Sequence, residues 1–292
     1  MTVLYVRAPG ALTTIQDAGR PGMGAFGVGR SGAADLPALQ AGNRLVGNDP
    51  DAAGLEVTAG GLTLVAQSRA IIAVTGADAP VLLGPGGGAP RPVGAYARLV
   101  LTTGDTVTVG APTAGLRSYL AVRGGIEAEP VLGSRAYDSH AGLGPRPLRT
   151  GDRITAGRAH RLLPAVEALP RPYRAPGPVP LAVLPGPRAD WFTPDARRLL
   201  LSQLWTATAA MDRVGVRLTA PRTLERSVAG ELPSEGMVTG AVQVPGGGTP
   251  VIFLADHPVT GGYPVIAVLT AAAVARAAQL TPGTPVRFVP AR

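Results

Sequence analysis

Residues 254–264, LADHPVTGGYP, set a carboxylate, an imidazole, a hydroxyl, a phenol and two adjacent glycines within eleven positions. Asp256 and His257 are side chains that could share a proton transfer, and Gly261 with Gly262 leaves backbone N–H groups open to a charged oxygen. The same string also suits a tight connection between strands, because VIFLA precedes it and VIAVL follows, and Gly and Pro punctuate hairpins. From these residues alone both readings stand.

A second cluster lies near the N-terminus. TTIQDAGRPG (13–22) places Gln16, Asp17 and Arg20 within five residues, ahead of the glycine-rich GVGRSG (27–32). Such a loop could bind a carboxylate or phosphate, with Arg20 as the bidentate partner; equally, an Asp17 to Arg20 ion pair could simply fix the loop. The segment around Ser31 lacks the G-x-S-x-G elbow of a serine hydrolase. In the second half Trp191 and Phe192 read as core anchors, and Glu235, beside Gly236, could face a site or satisfy a turn.

Composition removes several classes of chemistry. There is no cysteine, hence no disulfide, thiolate nucleophile or cysteine-ligated metal. All 27 basic residues are arginine, so the chain offers no Schiff-base lysine, no P-loop lysine and no lysine to carry biotin. His140, His160 and His257 are scattered, and no metal site is expected. The formal charge of +8 admits a nucleic-acid partner, yet the arginines form no dense run and only 4% of residues are aromatic. Small anionic substrates fit the charge as well, and neither nucleic acid nor membrane is expected as a partner. No apolar run reaches the length of a bilayer span, and no secretory leader is visible, so a cytoplasmic location is the default expectation.

The elements that must hold these clusters are mostly strands. With 40 glycines and 30 prolines, short aliphatic runs alternate with turns, the pattern of an all-β chain. Strands are expected at 2–6, 62–65, 70–75, 99–102, 106–109, 118–122, 181–184, 251–255, 265–269 and 286–289. Asp35 should cap a helix to Val46 that Gly47 stops; Thr193-Pro194 should begin another ending near Trp205, and a third should run over 270–280. The proline-rich stretch 164–180 marks a linker, which divides the chain into domains 1–174 and 175–292. L-x-x-G-D recurs at 101–105 and 148–152, more loosely at 280–284, and reads as a favoured turn feeding a strand.

Taken in order, TTIQDAGRPG, VGRSGAAD, NRLVGNDPDAAGLE, VTGAD, YLAVRGGI, VLGSR, LPGPRADWF, DRVGVRL, SEGMVTGAVQVP and LADHPVTGGYP resemble the family of the 5-oxoprolinase C subunit, also called KipA-like, allophanate hydrolase subunit 2 or biotin-dependent carboxyltransferase. The resemblance covers nearly the whole chain. It implies a mainly β fold of two cyclophilin-like β-barrel subdomains with a few short helices, the second carrying the TGGYP loop. It implies a hydrolase that works with the 5-oxoprolinase B subunit, or a KipI-like protein, and with the A subunit to open 5-oxoproline to glutamate, with ATP as co-substrate, and that is inactive alone. Two alternatives come with it: a carboxyltransferase component receiving a carboxyl group from biotin on another chain, and a non-catalytic KipA-like regulator that sequesters a KipI-like kinase inhibitor. The site residues it implies are Asp256, His257 and Tyr263 for catalysis, with Thr260, Gly261, Gly262 and, on a facing loop, Gln16, Asp17 and Arg20 for substrate. Many members carry Arg-Gln after the Asp of the loop and a lysine after its Tyr-Pro, where this chain has His257-Pro258 and Val265.

Overall fold

The computed structural model describes residues 2–86, 88–172 and 175–291. Tyr173 and Arg174, at the expected domain boundary, lie outside the described residues. The chain forms two compact units: unit 1 comprises Met1–Arg20, Asp35–Asp138 and Gly142–Arg174, and unit 2 comprises Pro21–Ala34, Ser139–Ala141 and Ala175–Arg292. The fold is mainly β, with three short α-helices among the described residues.

In unit 1 the described strands form two sheets. One runs, in hydrogen-bonded order, Arg153–Ala156, Thr2–Pro9, Leu62–Ala66, Thr106–Val109, Val81–Gly84 and Arg91–Val93; the other runs Leu12–Gln16, Gly54–Thr58, Ala114–Val122, Ala70–Asp78 and Arg98–Leu101. Period-two alternation sorts the second sheet into an apolar and a polar face. Ile15, Leu55, Leu120 and Val74 are cross-strand partners, and all four are buried in the main core of unit 1. One residue along, Thr14, Glu56, Tyr119 and Thr75 make an equally buried polar row.

That polar row receives the helix Leu36–Val46. Asp35 caps it by accepting from the Ala38 amide at 3.2 Å, Pro37 stands in its first turn, and Gly47 ends it at φ 70°. The Asp35 amide donates to the Tyr119 hydroxyl at 2.7 Å, Tyr119 donates to Glu56 at 2.8 Å, and Thr75 donates to the Ala38 carbonyl at 2.6 Å. Arg117 stands 3.6 Å from Glu56. Burial pushes the Tyr119 phenol well above its usual range, and Glu56 and Asp35 push it the same way. The phenol therefore stays protonated and relays one hydrogen bond into another.

In unit 2 the strands close into a barrel: Val179–Pro185, Val265–Leu269, Ala241–Gln243, Val251–Phe253, Gly215–Thr219, Trp205–Met211 and Pro285–Pro290, the last returning parallel to the first. Closure leaves this sheet no free edge. Its interior holds Trp205 packed edge-to-face on Phe288, with the indole N–H donating to the Leu200 carbonyl at 3.0 Å. Thr193 caps the helix Pro194–Ser202, which stops three residues before Trp205 because that residue opens a strand; Thr270 caps Ala271–Ala277.

A strand forms at each expected place, but those expected over 99–102 and 251–255 end at Leu101 and Phe253. The recurring L-x-x-G-D is one turn used repeatedly: the amides of Thr102 and Arg149 donate to Asp105 and Asp152 at 2.7 and 2.8 Å, and the Thr281 amide donates to the Thr284 hydroxyl at 3.2 Å. Replacing Tyr119 by Phe takes one hydrogen-bond donor from Glu56 and the acceptor from the Asp35 amide, which should cost about 1–3 kcal/mol. Hydrogen exchange of the Leu36–Val46 amides should speed accordingly, and unchanged protection would show that the row does not hold the helix.

Candidate active site

Asp256 follows the barrel strand Val251–Phe253 and is 1% exposed. Its carboxylate is saturated. Arg213 grips it bidentately, Nε to Oδ2 at 2.8 Å and Nη2 to Oδ1 at 2.9 Å, while Ser31 donates to Oδ1 at 2.7 Å. Both the amide and the hydroxyl of Ser139 donate to Oδ2, at 2.8 and 2.7 Å. Burial alone would raise its pKa, but Arg213, Ser31 and the Ser139 amide together hold it below the usual carboxylate value. Ser31 reaches it from a left-handed backbone, φ 53°, and the next residue, Gly32 at φ 92°, turns its carbonyl to accept from Arg213 Nη2 at 2.6 Å. A non-glycine residue in that region is held there by its surroundings.

His257 is buried beside it. Nδ1 lies 2.7 Å from the Pro258 carbonyl, which can only accept, so the proton sits on Nδ1 and Nε2 is left facing the Thr239 hydroxyl at 3.1 Å. Thr239 is half-buried.

Beyond Pro258 the loop is pinned along both sides. Thr260–Gly261 pairs antiparallel with Glu235–Gly236, and the Met237 amide donates to the Val259 carbonyl at 2.9 Å. Glu235 is gripped in turn by Arg188, whose Nε lies 2.9 and 3.0 Å from its two oxygens, and that contact lowers the Glu235 pKa. Gln243 donates to the Tyr263 carbonyl at 3.1 Å, and the Val244 amide to that of Pro264 at 3.0 Å. A Cβ at position 261 would stand 2.7 Å from Gln243 Nε2 and 3.1 Å from Met237 Sδ, so a larger residue there would push aside the Gln243 side chain that holds the Tyr263 carbonyl. Tyr263 is 49% exposed. Arg226, anchored on the Val244 carbonyl, lies over its ring at 5.8 Å from the centroid. A groove of about 490 Å³, lined by Met211, Asp212, Gln243, Phe253 and Tyr263 among others, opens beside this phenol.

Thus Asp256, His257, Thr260, Gly261, Gly262 and Tyr263 belong to one loop of unit 2, with Tyr263 and Thr260 exposed and Asp256 and His257 sealed. Gln16, Asp17 and Arg20 belong to unit 1 and converge on its segment 131–138. Gln16 donates to Thr14 and to the Tyr137 carbonyl; Asp17 accepts from the Gly19 and Arg135 amides and the Ser134 hydroxyl; Arg20 donates to the Val131 and Ala136 carbonyls and stands 3.9 Å from Asp138. Asp17 and Arg20 do not form an ion pair with each other among the described residues. Arg213, Ser31, Ser139, Gln243, Arg226 and Arg188 are not singled out as parts of the site by the sequence, whereas Glu235, read there as facing a site or satisfying a turn, is held by Arg188 beside the loop. Ser31 and Asp256 are 225 positions apart, and no local pattern announces so distant a contact. Among the described residues no group of three or more His, Asp or Glu side chains stands close enough to hold a metal ion, and no helix is long and apolar enough to cross a membrane.

A family model, the carboxyltransferase domain, subdomain A and B, matches residues 26–290, and the chain belongs to that family. It is 36% identical over 290 residues to the C subunit of 5-oxoprolinase from Escherichia coli K12, covering 98% of this chain and 91% of that protein. Among solved structures it superposes on TTHA0988 with a TM-score of 0.85 at 33% identity, and on the K. lactis urea amidolyase with a TM-score of 0.89 at 28% identity. Each superposition takes in 99% of this chain, which spans 55% of the first protein and 19% of the second.

Breaking the Arg213–Asp256 pair from either side, with Asp256→Asn or Arg213→Met, should cost about 3–5 kcal/mol, since the remaining member is buried without its partner. Trp191 and Trp205 both lie in unit 2, so tryptophan fluorescence during urea unfolding reports this loss directly. Because the folded carboxyl titrates below its unfolded value of about 3.9, its contribution is complete above that value and is lost as pH falls through the folded pKa. Asp256→Asn should flatten this acid limb; an unchanged limb would assign the acid sensitivity elsewhere.

Proposed function

We propose that this chain is the C subunit of an ATP-dependent 5-oxoprolinase, working with the B and A subunits to open 5-oxoproline to glutamate, and inactive without them. The observation that carries this reading is the match to the 5-oxoprolinase C subunit along nearly the whole length of both proteins; the urea amidolyase match takes in only a fifth of that larger chain. A local feature agrees. The position after Tyr263-Pro264 is Val265, buried with Met237, Ala241 and Phe253, so no amine stands there to receive or pass a carboxyl group.

Opening a lactam to an amino acid needs water to attack a polarised carbonyl carbon, a proton for the nitrogen that departs as the C–N bond breaks, and an oriented carboxylate. We assign the exposed part of the TGGYP loop to this work: the Tyr263 phenol as the proton-bearing group beside the groove, the Gly261 and Gly262 backbone and the Thr260 hydroxyl as binding surface, and Arg226 as the cation over the phenol. His257 carries protons only through Nε2 and Thr239, since its Nδ1–H is committed. Asp256 is a positioning residue; five hydrogen bonds and a depressed pKa leave it no proton to exchange near neutrality. Gln16, Asp17 and Arg20 shape the 131–138 segment of unit 1. Bicarbonate-dependent carboxyl transfer and KipA-like sequestration of an inhibitor remain the competing activities.

Co-expression with the partner subunits should yield a complex that forms glutamate from 5-oxoproline only when ATP is present. Tyr263→Phe should lower kcat by about 10²–10⁴-fold while leaving the complex intact. A stable, complete complex without ATP-dependent glutamate rejects the assignment, and activity with urea, bicarbonate and a biotinylated carrier would move the chain to the carboxyltransferase reading.

A further inference from the structure

Unit 1 has a cavity of its own, about 520 Å³, within the range of small-molecule sites. Thr2 and Ala156, cross-strand partners of the first sheet, line it together with Ile71 of the second, so it opens where the two sheets of unit 1 end. Three guanidinium-bearing residues and one carboxylate complete the wall: Arg69, Arg123, Arg158 and Glu127.

Of the four, Arg123 is partly buried and anchored, and Arg69, Glu127 and Arg158 are exposed. Arg123 is held in place by carbonyls alone, donating to Val46 at 2.8 Å, where it closes the C-terminus of the Leu36–Val46 helix, and to Arg161 at 2.6 Å. Of its five N–H groups, three are left over. Among the described residues the side chains of Arg69, Arg158 and Glu127 make no hydrogen bond or ion pair. The Glu127 carboxylate lies beside the backbone of Gly157, its Oε1 3.2 Å from where a Cβ on that glycine would stand. Three cations and an anion thus share one cavity without neutralising one another, over a floor that includes the apolar Ile71 and Ala156.

We propose that this cavity binds a small amino dicarboxylate, the guanidiniums taking its two carboxylates, Glu127 its ammonium, and the apolar floor its methylenes. Arginine recognises carboxylates through paired N–H donors, and three guanidiniums exceed what a single carboxylate uses. A ligand with acidic groups only would meet the Glu127 carboxylate unfavourably, which argues for a cationic group at that point. Glutamate belongs to this class. Binding here does not depend on the reaction assigned above, and the two stand or fall separately.

Isothermal titration of the full chain, without partner subunits, tests the cavity directly. L-Glutamate should bind saturably at one site; glutarate, which lacks the ammonium, should bind at least tenfold more weakly, and Glu127→Gln should close that gap. Arg69→Gln with Arg158→Gln, both exposed positions, should weaken L-glutamate at least tenfold without moving the unfolding midpoint. The proposal is overturned by absence of saturable L-glutamate binding, by glutarate or inorganic phosphate binding as tightly as L-glutamate, or by binding that ignores the arginine substitutions.

Discussion

The buried pairing of Arg213 with Asp256 is the interaction on which the loop of unit 2 depends. Two opposite charges removed from water are costly unless every lone pair and N–H finds a partner. Here Ser31, Gly32 and Ser139 supply those partners. The consequence reaches beyond the pair, because the same hydrogen bonds attach Pro21–Ala34 and Ser139–Ala141, which are remote in sequence, to the barrel portion of unit 2. The left-handed backbone at Ser31 is the local cost of that attachment.

With its root fixed, the loop can present chemistry at its tip. Val259, Thr260 and Gly261 are strapped to 235–237, Tyr263 and Pro264 to Gln243 and Val244, and what remains exposed is the Thr260 side chain and the Tyr263 phenol under Arg226. Binding and catalytic groups commonly sit on loops that a rigid scaffold holds in this way. The division of labour follows from burial. A carboxylate with five donors around it is a fastening, whereas a half-exposed phenol beside a groove is free to meet a ligand.

Much of this was legible from the chain, and the limits have physical causes. Strands were found because their apolar residues alternate and Gly or Pro brackets them; the helix after Asp35 was found because its cap, its Pro37 and its Gly47 are local signals. The repeated L-x-x-G-D was legible for the same reason, since its hydrogen bonds span three residues. The TGGYP loop stood out as a concentration of reactive types. What sequence could not supply was the sorting of those types by environment: Asp256 and Tyr263 look equally reactive on paper, and only contacts with Arg213, 43 positions away, and with Ser31, 225 away, distinguish them. Asp17 and Arg20 show the same limit at short range, because neighbours in sequence that suggested a mutual pair instead fasten separate points of 131–138.

The exclusive use of arginine ties these observations together. Arg20, Arg213 and Arg226 each bind main-chain carbonyls while also standing beside a carboxylate or an aromatic face. A guanidinium can do this because its five N–H groups lie in one plane and point in several fixed directions. An ammonium, with three donors on a point charge and a stronger demand for water, would leave either the carbonyl or the carboxylate unserved when buried. Lysine would therefore fail at the root of the loop, where Arg213 joins two oxygens of Asp256 to the carbonyl of Gly32. Removing the ion from this site would not only unpair a charge; it would release the turn at Ser31-Gly32 that the rest of the loop is built against.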